Sequence, residues 1–301
     1  MKTLMNRMPV VAAALLLLAF APVALAQGTL PSPKTVDLGA GLHVIHGTGG
    51  NIGVSAGPDG VFVIDDQYPN SAAANLAKIQ EIAGAAPRYL VNTHWHGDHA
   101  GGNAAFAGAG AMIFAHENVR KRLSGAVAST GLDGKPAATS PEVAWPVVTF
   151  TQGVDFHLND ETIRVKHVSA SHTDGDAMVW FVGPNVLHMG DLFFNGIYPV
   201  IDLGSGGSVR GYLEVMKETY AQVNDTTRII PGHGEVGGKA DLSRQIAMLE
   251  GAIAAVDARI KAGDTIAKAV AARPLKPWAN FAWSFISEES FTRTLYTGLK
   301  K

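Results

Sequence analysis

Short apolar runs separated by turn-forming residues fill much of the chain between residues 42 and 189, whereas helical spacing dominates after residue 209. Runs of about four to eight apolar and β-branched residues bounded by Gly, Pro, Asp or Asn are typical of β-strands. Such runs predict strands at 42–45, 51–55, 61–64, 88–93, 147–151, 162–168, 177–182 and 186–189.

Helical spacing first appears where Leu76, Ile79 and Ile82 form one apolar stripe. A serine precedes this stripe and a glycine follows it, so a capped helix is predicted over 71–83. Strands followed by a helix, repeated once along the chain, predict an α/β fold in which two sheets pack face to face with helices outside. Further helices are predicted over 209–223, 241–262 and 288–299.

Residues 1–26 have the pattern of a secretory signal peptide. Basic residues at positions 2 and 7 precede the apolar run 10–20, and Ala-Leu-Ala at 24–26 is a small-residue cleavage site. Cleavage there predicts an exported, periplasmic protein that keeps no membrane anchor. Its domain would occupy 27–301, with the C-terminal helices of 241–299 packed on it.

The amino-acid composition limits the partners and the metal ligands that this protein can have. The chain has 24 Lys and Arg against 26 Asp and Glu, and a net charge of −2 does not favour a nucleic-acid partner, which normally needs a basic face. It contains no cysteine, so disulfides and thiolate metal ligands are excluded. Any metal must be bound by His and carboxylate. The expected partner is a small-molecule substrate, and the oligomeric state stays open.

The segment 93–102, which reads THWHGDHAGG, contains three imidazoles and one carboxylate within six residues. If the preceding strand stays extended, His94 and His96 point to the same side and can share one cation. Beyond the next glycine the chain can turn and present Asp98 and His99 to a neighbouring position. Imidazole and carboxylate are the ligand types that Zn²⁺ prefers without thiolate, so the segment predicts metal binding.

Three later residues complete this set. His172, Asp191 and His233 each follow a predicted strand in a turn that contains glycine, where loops assemble sites on a rigid scaffold. A closed structural zinc site has four ligands, and this chain offers more. Two metal sites are therefore predicted, with the ligands His94, His96, Asp98, His99, His172, Asp191 and His233.

The chain resembles the metallo-β-lactamase superfamily. The H-x-H-x-D-H motif of that family is present at 94–99, and its later His, Asp and His positions match those named above. The resemblance implies a four-layer αββα sandwich and a metal-dependent hydrolase with two Zn²⁺. It also matches Asp65 to an acid that supports the ligands from behind. The alternative for Asp65 is an ordinary aspartate at the end of a strand. It assigns one metal to His94, His96 and His172, the other to Asp98, His99 and His233, and a bridging position to Asp191.

Two cations that share a water lower its pKa from about 15.7 towards about 7, so hydroxide is available at neutral pH. Asp98 is expected to orient this nucleophile, and Asp191 to supply negative charge between the dications. Tyr198 would offer a hydroxyl to an oxyanion, with core packing as its alternative. The predicted reaction is cleavage of an ester, lactone, thioester or amide bond of a small molecule, β-lactams included.

Departures from individual branches of the family leave the substrate open. The zinc β-lactamases usually carry another residue in place of His99 or Asp191, which weakens a β-lactamase assignment. A persulfide dioxygenase with one iron, a phosphodiesterase of the same fold and a metal-binding protein without catalysis remain alternatives, as do iron or manganese in place of zinc. The stretch 124–146, rich in Gly, Ala, Ser and Pro, is either a loop over the site or a plain surface excursion.

Overall fold

The computed structural model describes residues 32–131 and 134–300. The predicted signal peptide at 1–26 lies outside these residues, and the domain limits 27–301 stay a prediction. None of the described helices is both long and apolar enough to cross a membrane.

Seven strands form the first sheet, and their order in the sheet is their order in the chain. The first four pair antiparallel, and the fourth to the seventh pair parallel. They are β1 (Lys34–Gly39), β2 (Leu42–His46), β3 (Ile52–Gly57), β4 (Gly60–Ile64), β5 (Pro87–Val91), β6 (Met112–His116) and β7 (Val148–Phe150).

Six strands form the second sheet: β8 (Gly153–Leu158), β9 (Glu161–His167), β10 (Ala177–Phe181), β11 (Val186–Phe194), β12 (Arg228–His233) and β13 (Gly237–Gly238). The pairing is antiparallel except between β11 and β12, which run parallel.

Eight α-helices connect or cover the sheets: α1 (Ala72–Ala83), α2 (Gly97–Ala100), α3 (Asn103–Gly108), α4 (Glu117–Leu123), α5 (Val209–Gln222), α6 (Lys239–Lys261), α7 (Ile266–Ala271) and α8 (Glu288–Lys300). Two short 3₁₀ helices lie at Glu142–Ala144 and Lys276–Phe281. These counts refer to the described residues.

Successive side chains of a strand point to opposite faces, so the first sheet contributes side chains to two layers of the core. In β4, Phe62 belongs to the cluster between the sheets and lies edge-on to Phe181 of β10, with ring centroids 6.3 Å apart. Its neighbours Val61 and Val63 belong to the cluster on the other face, with Ile79 of α1. One strand therefore contacts both the second sheet and a helix layer.

The second sheet is covered in the same way on its outer face, where Leu187 of β11 packs with Tyr212 of α5, Leu249 of α6 and Leu295 of α8. Every residue of β11 is buried because both faces of this strand are covered. The order of layers is helix, sheet, sheet, helix. The predicted α/β fold and its αββα sandwich are confirmed.

Several boundaries differ from the prediction. No range was predicted for strands β1, β6, β8, β12 and β13, although Val154, Phe156 and Leu158 of β8 alternate with exposed residues as in an edge strand. The strand predicted at 186–189 continues to Phe194, so Asp191 lies within it. The strand predicted at 88–93 ends at Val91, before the histidine motif.

Candidate metal centre

The histidine motif begins in the loop between β5 and α2 and continues into α2, where Asp98 and His99 lie, and Asp65 fixes the start of this loop. The Asp65 carboxylate accepts the backbone N–H of Thr93 at 2.7 Å and the Thr93 hydroxyl at 2.8 Å. The sequence argument assumed that an extended strand points His94 and His96 to the same side. Because β5 ends at Val91, no strand does so. The hydrogen bonds to Asp65 hold the loop instead.

Four buried side chains form a first group of potential ligands: His94, His96, His172 and Asp191. His96 Nδ1 lies 3.1 Å from His94 Nε2 and 3.0 Å from His172 Nε2. Nitrogens bound to one Zn²⁺ at about 2.0–2.1 Å are about 3.3 Å apart in a tetrahedron, so these distances suit a common cation.

Hydrogen bonds on the far side of each ring point the lone pairs inwards. His172 Nδ1 donates to the Val200 carbonyl at 2.8 Å, and His96 Nε2 donates to Asp202 Oδ2 at 3.0 Å. His94 Nδ1 lies 3.0 Å from the Thr93 hydroxyl oxygen, whose own proton goes to Asp65. With one nitrogen used as a donor, each imidazole keeps an unprotonated nitrogen for a metal.

Three further side chains, Asp98, His99 and His233, form a second group. His233 Nε2 lies 3.2 Å from Asp98 Oδ2 and 3.4 Å from His99 Nε2. His99 Nδ1 donates to Asp65 Oδ2 at 2.8 Å, which leaves its Nε2 for the group. Asp65 thus acts as the acid behind the ligands that the family resemblance implied.

Asp191 lies between the two groups and directs one oxygen to each. Its Oδ2 is 3.5 Å from His172 Nε2, and its Oδ1 is 3.0 Å from His99 Nε2 and 3.4 Å from His233 Nε2. Oδ1 is buried and has no hydrogen-bond donor among the described residues. A buried carboxylate oxygen without a donor is costly unless a cation lies beside it, so the donor set fits metal binding.

Charges at the site differ between the two groups. Burial alone would lower the pKa of His233, but Asp191 and Asp98 outweigh it and raise that pKa to about 9. This imidazole would therefore have to release a proton when it binds a metal, whereas His94 is already neutral. Burial and the neighbouring His99 hold the pKa of His94 well below its ordinary value, so this imidazole is neutral. Burial alone would raise the pKa of Asp191, but the imidazoles of His99 and His233 outweigh it and keep that pKa well below its usual range. Asp191 therefore remains a carboxylate.

Two glycines allow the close approach of these ligands. A Cβ on Gly232 would lie 2.0 Å from Asp191 Oδ1, and a Cβ on Gly50 would lie 2.1 Å from His99 Cε1. Both distances are far shorter than van der Waals contact, so a side chain at either position would displace a ligand.

Two residues that hold the ligands were not singled out from the sequence. Asp202 accepts from His96, and its other oxygen accepts the N–H of Gly204 at 3.0 Å. Asn51 donates to the carbonyls of Pro231 at 2.9 Å and Gly234 at 2.8 Å, on either side of His233. Neither residue lies in a motif, so no local signal marked them.

A cavity of about 540 Å³ opens over the two groups. Asp98 and His233, with side chains 20% and 15% exposed, lie in its lining. Ala137, Ala138 and Ser140 also line it, so part of the stretch 124–146 covers the site. This agrees with the first of the two interpretations left open for that stretch.

The aromatic residues near Asp191 have different roles. Phe194 stacks on His233 at 5.0 Å between ring centroids, and Phe193 is buried in the outer core. The Tyr198 hydroxyl donates to the Trp278 carbonyl at 2.6 Å, and its ring stacks on Phe291 of α8. Tyr198 is fully buried and lies outside the described lining of the cavity, so core packing, the alternative weighed for this residue, fits its position better, and an oxyanion role stays an untested prediction.

A model of the metallo-beta-lactamase superfamily matches residues 47–233. This match covers more than half of the chain, and the chain belongs to this superfamily. Among curated proteins, no sequence matches it significantly.

Several solved structures share the fold. The stereoselective inverting sec-alkylsulfatase Pisa1 from Pseudomonas sp. aligns with a TM-score of 0.63 at 17% identity, over 88% of this chain and 50% of that one. A metallo-beta-lactamase from Pontibacter korlensis aligns at 0.60 and 18%, over 72% and 99%, and the metallo-beta-lactamase IND-7 at 0.60 and 21%, over 74% and 100%. This chain therefore spans half the length of the sulfatase. At such identities the likeness shows the fold alone.

Proposed function

We propose that this protein is an exported binuclear zinc hydrolase that cleaves an ester, lactone, thioester or amide bond, including that of a β-lactam, in a small molecule. The observation that carries this proposal is the position of Asp191, which directs one carboxylate oxygen to each ligand group. Membership of the superfamily and the fold shared with metallo-beta-lactamases support a metal-dependent hydrolase.

When bound, two Zn²⁺ would lower the pKa of a water and polarise the oxygen of the scissile bond. The residues of the chain bind and orient. Asp98 lies at the cavity with its Oδ2 near His233, and it would accept a hydrogen bond from the attacking water. Asp191 would keep its negative charge between the two cations and limit their repulsion.

The second ligand group favours two ions over one. A mononuclear iron persulfide dioxygenase needs only the equivalents of His94, His172 and Asp191. It would give no function to the convergence of Asp98, His99 and His233 within 3.5 Å of one another. The dioxygenase and the phosphodiesterase are the alternatives that the experiment below distinguishes from the hydrolase.

The test combines metal content with turnover. Purified protein is stripped with a chelator and reloaded with zinc, iron or manganese, and the ions bound per chain are measured. We expect two zinc ions per chain and hydrolysis within panels of lactones, esters, thioesters and a chromogenic cephalosporin. His233→Ala should bind one ion fewer and lose most activity, whereas His157→Ala, at an exposed position of β8, should behave as wild type.

Contrary results are well defined. One iron per chain, with oxygen consumed in the presence of a persulfide, would establish the dioxygenase. Turnover confined to phosphodiesters would establish the phosphodiesterase. Metal-replete protein that is inert on every panel would end the hydrolase proposal.

Export rests on the pattern of residues 1–26. In bacterial cells that make the full chain, we expect the mature protein in the periplasmic fraction with Gln27 at its N-terminus, as N-terminal sequencing would show. Full-length protein in the cytoplasm would contradict export without affecting the catalytic proposal.

A further inference from the structure

Beyond the metal ligands, the cavity wall is mostly apolar. Apolar side chains from four parts of the chain line it, and all but that of Ala137 are large: Trp95, Leu123, Ala137, Trp283 and Phe285. Its volume of about 540 Å³ lies within the range of pockets that enclose small organic ligands, about 300–1,000 Å³. The wall therefore suits an apolar part of a substrate whose reacting bond lies at the ligand groups.

Arg122 is the single Lys or Arg among the described residues that line this cavity, and its hydrogen bonds are already taken. Its Nε and Nη2 donate to the two oxygens of Asp174 at 2.9 and 2.6 Å, and its Nη1 donates to the Ser129 hydroxyl at 3.1 Å. The guanidinium also lies 5.7 Å from the Trp95 ring. With its side chain only 5% exposed, Arg122 is neutralised within the wall.

This arrangement penalises an anionic substituent. A carboxylate held against these walls would lose its water without gaining a free cation, and such desolvation is costly. An apolar substituent in the same place gains from leaving water, by about fourfold in binding for each methylene covered. The wall therefore favours a substrate with an apolar substituent over one with an anionic substituent when both carry the same reacting bond.

The mouth of the cavity extends the apolar surface outwards. Tyr68 and Phe285 line it and are 40% and 57% exposed, which is unusual for large aromatic side chains. They lie where a substituent too long for the interior would emerge.

We infer that the substrate is an uncharged lactone or ester with a bulky apolar substituent, which lies against Trp95, Leu123 and Phe285 while its carbonyl lies at the metal centre. This inference rests on the proposed function. In the reaction the acyl–oxygen bond breaks, water adds OH to the acyl carbon, and its other proton goes to the leaving alcohol.

The test uses γ-lactones with linear alkyl chains of increasing length, each paired with a lactone whose chain ends in a carboxylate. We expect kcat/KM to rise by about fourfold per methylene until the cavity is filled. The carboxylate partner should be at least about thirtyfold poorer at equal length. Non-cleavable cyclic ethers with the same chains should show the same order in Kd, measured by tryptophan fluorescence.

Two variants connect these preferences to the wall. Phe285→Ala removes an exposed ring and should lower kcat/KM for the longest chain by about tenfold more than for the shortest. Val182→Ala, at a position 49% exposed and outside the described lining, is the matched control and should leave this ratio unchanged. Asp174→Asn keeps the shape of the side chain but frees the charge of Arg122, and should improve the carboxylate substrates by about tenfold relative to the alkyl ones.

The outcomes separate this inference from the proposed function. Hydrolysis that is faster for carboxylate-bearing lactones, or insensitive to chain length, refutes the inference and leaves the hydrolase proposal standing. Failure of metal-replete protein to hydrolyse any lactone or ester refutes the inference alone if thioesters or amides are still hydrolysed, and it refutes both if every panel is inert. Metal content and thermal unfolding of each variant show whether its fold is intact, and Phe285→Ala tests the inference if Asp174→Asn does not fold.

Discussion

Replacing Asn51 with alanine tests whether the second ligand group is held in place from the first sheet. The Asn51 amide donates to two carbonyls that flank His233, and its oxygen accepts from His46 Nδ1 at 2.7 Å. Asn51→Ala removes the hydrogen bond that each of these three partners forms with the side chain. A buried polar group left unsatisfied costs about 1–3 kcal/mol, and two of these bonds are only partly buried. We expect the free energy of unfolding to fall by about 2–4 kcal/mol.

The effect on metal binding should be unequal. Among the described residues, the Asn51 side chain forms hydrogen bonds with the backbone around His233 and with His46, but with no member of the first ligand group. Loss of a residue that orients a ligand weakens metal affinity by about 10–100-fold. We therefore expect one ion of Asn51→Ala to be removed at lower chelator concentration, while the other dissociates as in wild type.

The assay is a chelator competition with zinc per chain as the readout, accompanied by urea unfolding. Asn280→Ala, which changes an exposed asparagine in the last 3₁₀ helix, is the control and should match wild type in both measurements. If Asn51→Ala keeps both ions with wild-type affinity, the argument that this side chain positions His233 is wrong.

Three further predictions concern Asp202, Gly232 and the stacked pair of His116 and His167. Asp202→Asn keeps the oxygen that accepts from Gly204 but removes the charge beside His96, so zinc affinity in chelator competition should fall by about 10–100-fold with little change in thermal unfolding. Gly232→Ala places a Cβ against Asp191, and urea unfolding and metal analysis should show a loss of about 1–3 kcal/mol and weaker metal binding. Burial and the stacked ring of His167 lower the pKa of His116 to about 4. Since an unfolded His titrates near pH 6.5, the unfolded state binds the extra proton first, and stability should fall by about 1–2 kcal/mol from pH 6.5 to pH 4, less steeply in His116→Asn.

The candidate ligands could be singled out from the sequence because their pattern is local or is tied to strand ends. The motif at 94–99 is contiguous, and the later candidate ligands lie in glycine-containing segments within or next to strands. The layers were also predictable, since alternation and helical stripes decide which faces are buried. Asp191 was identified although it lies inside β11, where Gly190 has φ +51° and the pairing with β12 shifts register.

The supporting residues could not be predicted in this way. Asn51 and Asp202 act across 180 and 106 residues of sequence, and only the packing of the two sheets brings them to their partners. The role suggested for Tyr198 has the same weakness, because it was inferred from closeness to Asp191 along the chain, which does not establish closeness in space. The Tyr198 N–H donates to the Phe281 carbonyl, which draws this segment towards the C-terminal helices.

Each ligand group combines side chains from both halves of the sandwich. His94 and His96 follow β5 of the first sheet, whereas Asp191 lies in β11 of the second, and the second group joins Asp98 and His99 to His233 in the same way. Neither sheet alone presents a complete group, so a metal can bind tightly only when the sheets are docked. By linkage, an ion that binds only the docked state stabilises docking by RT ln(1 + [L]/Kd). In a chain without cysteine, the ions would take the part that a disulfide between the sheets could otherwise play.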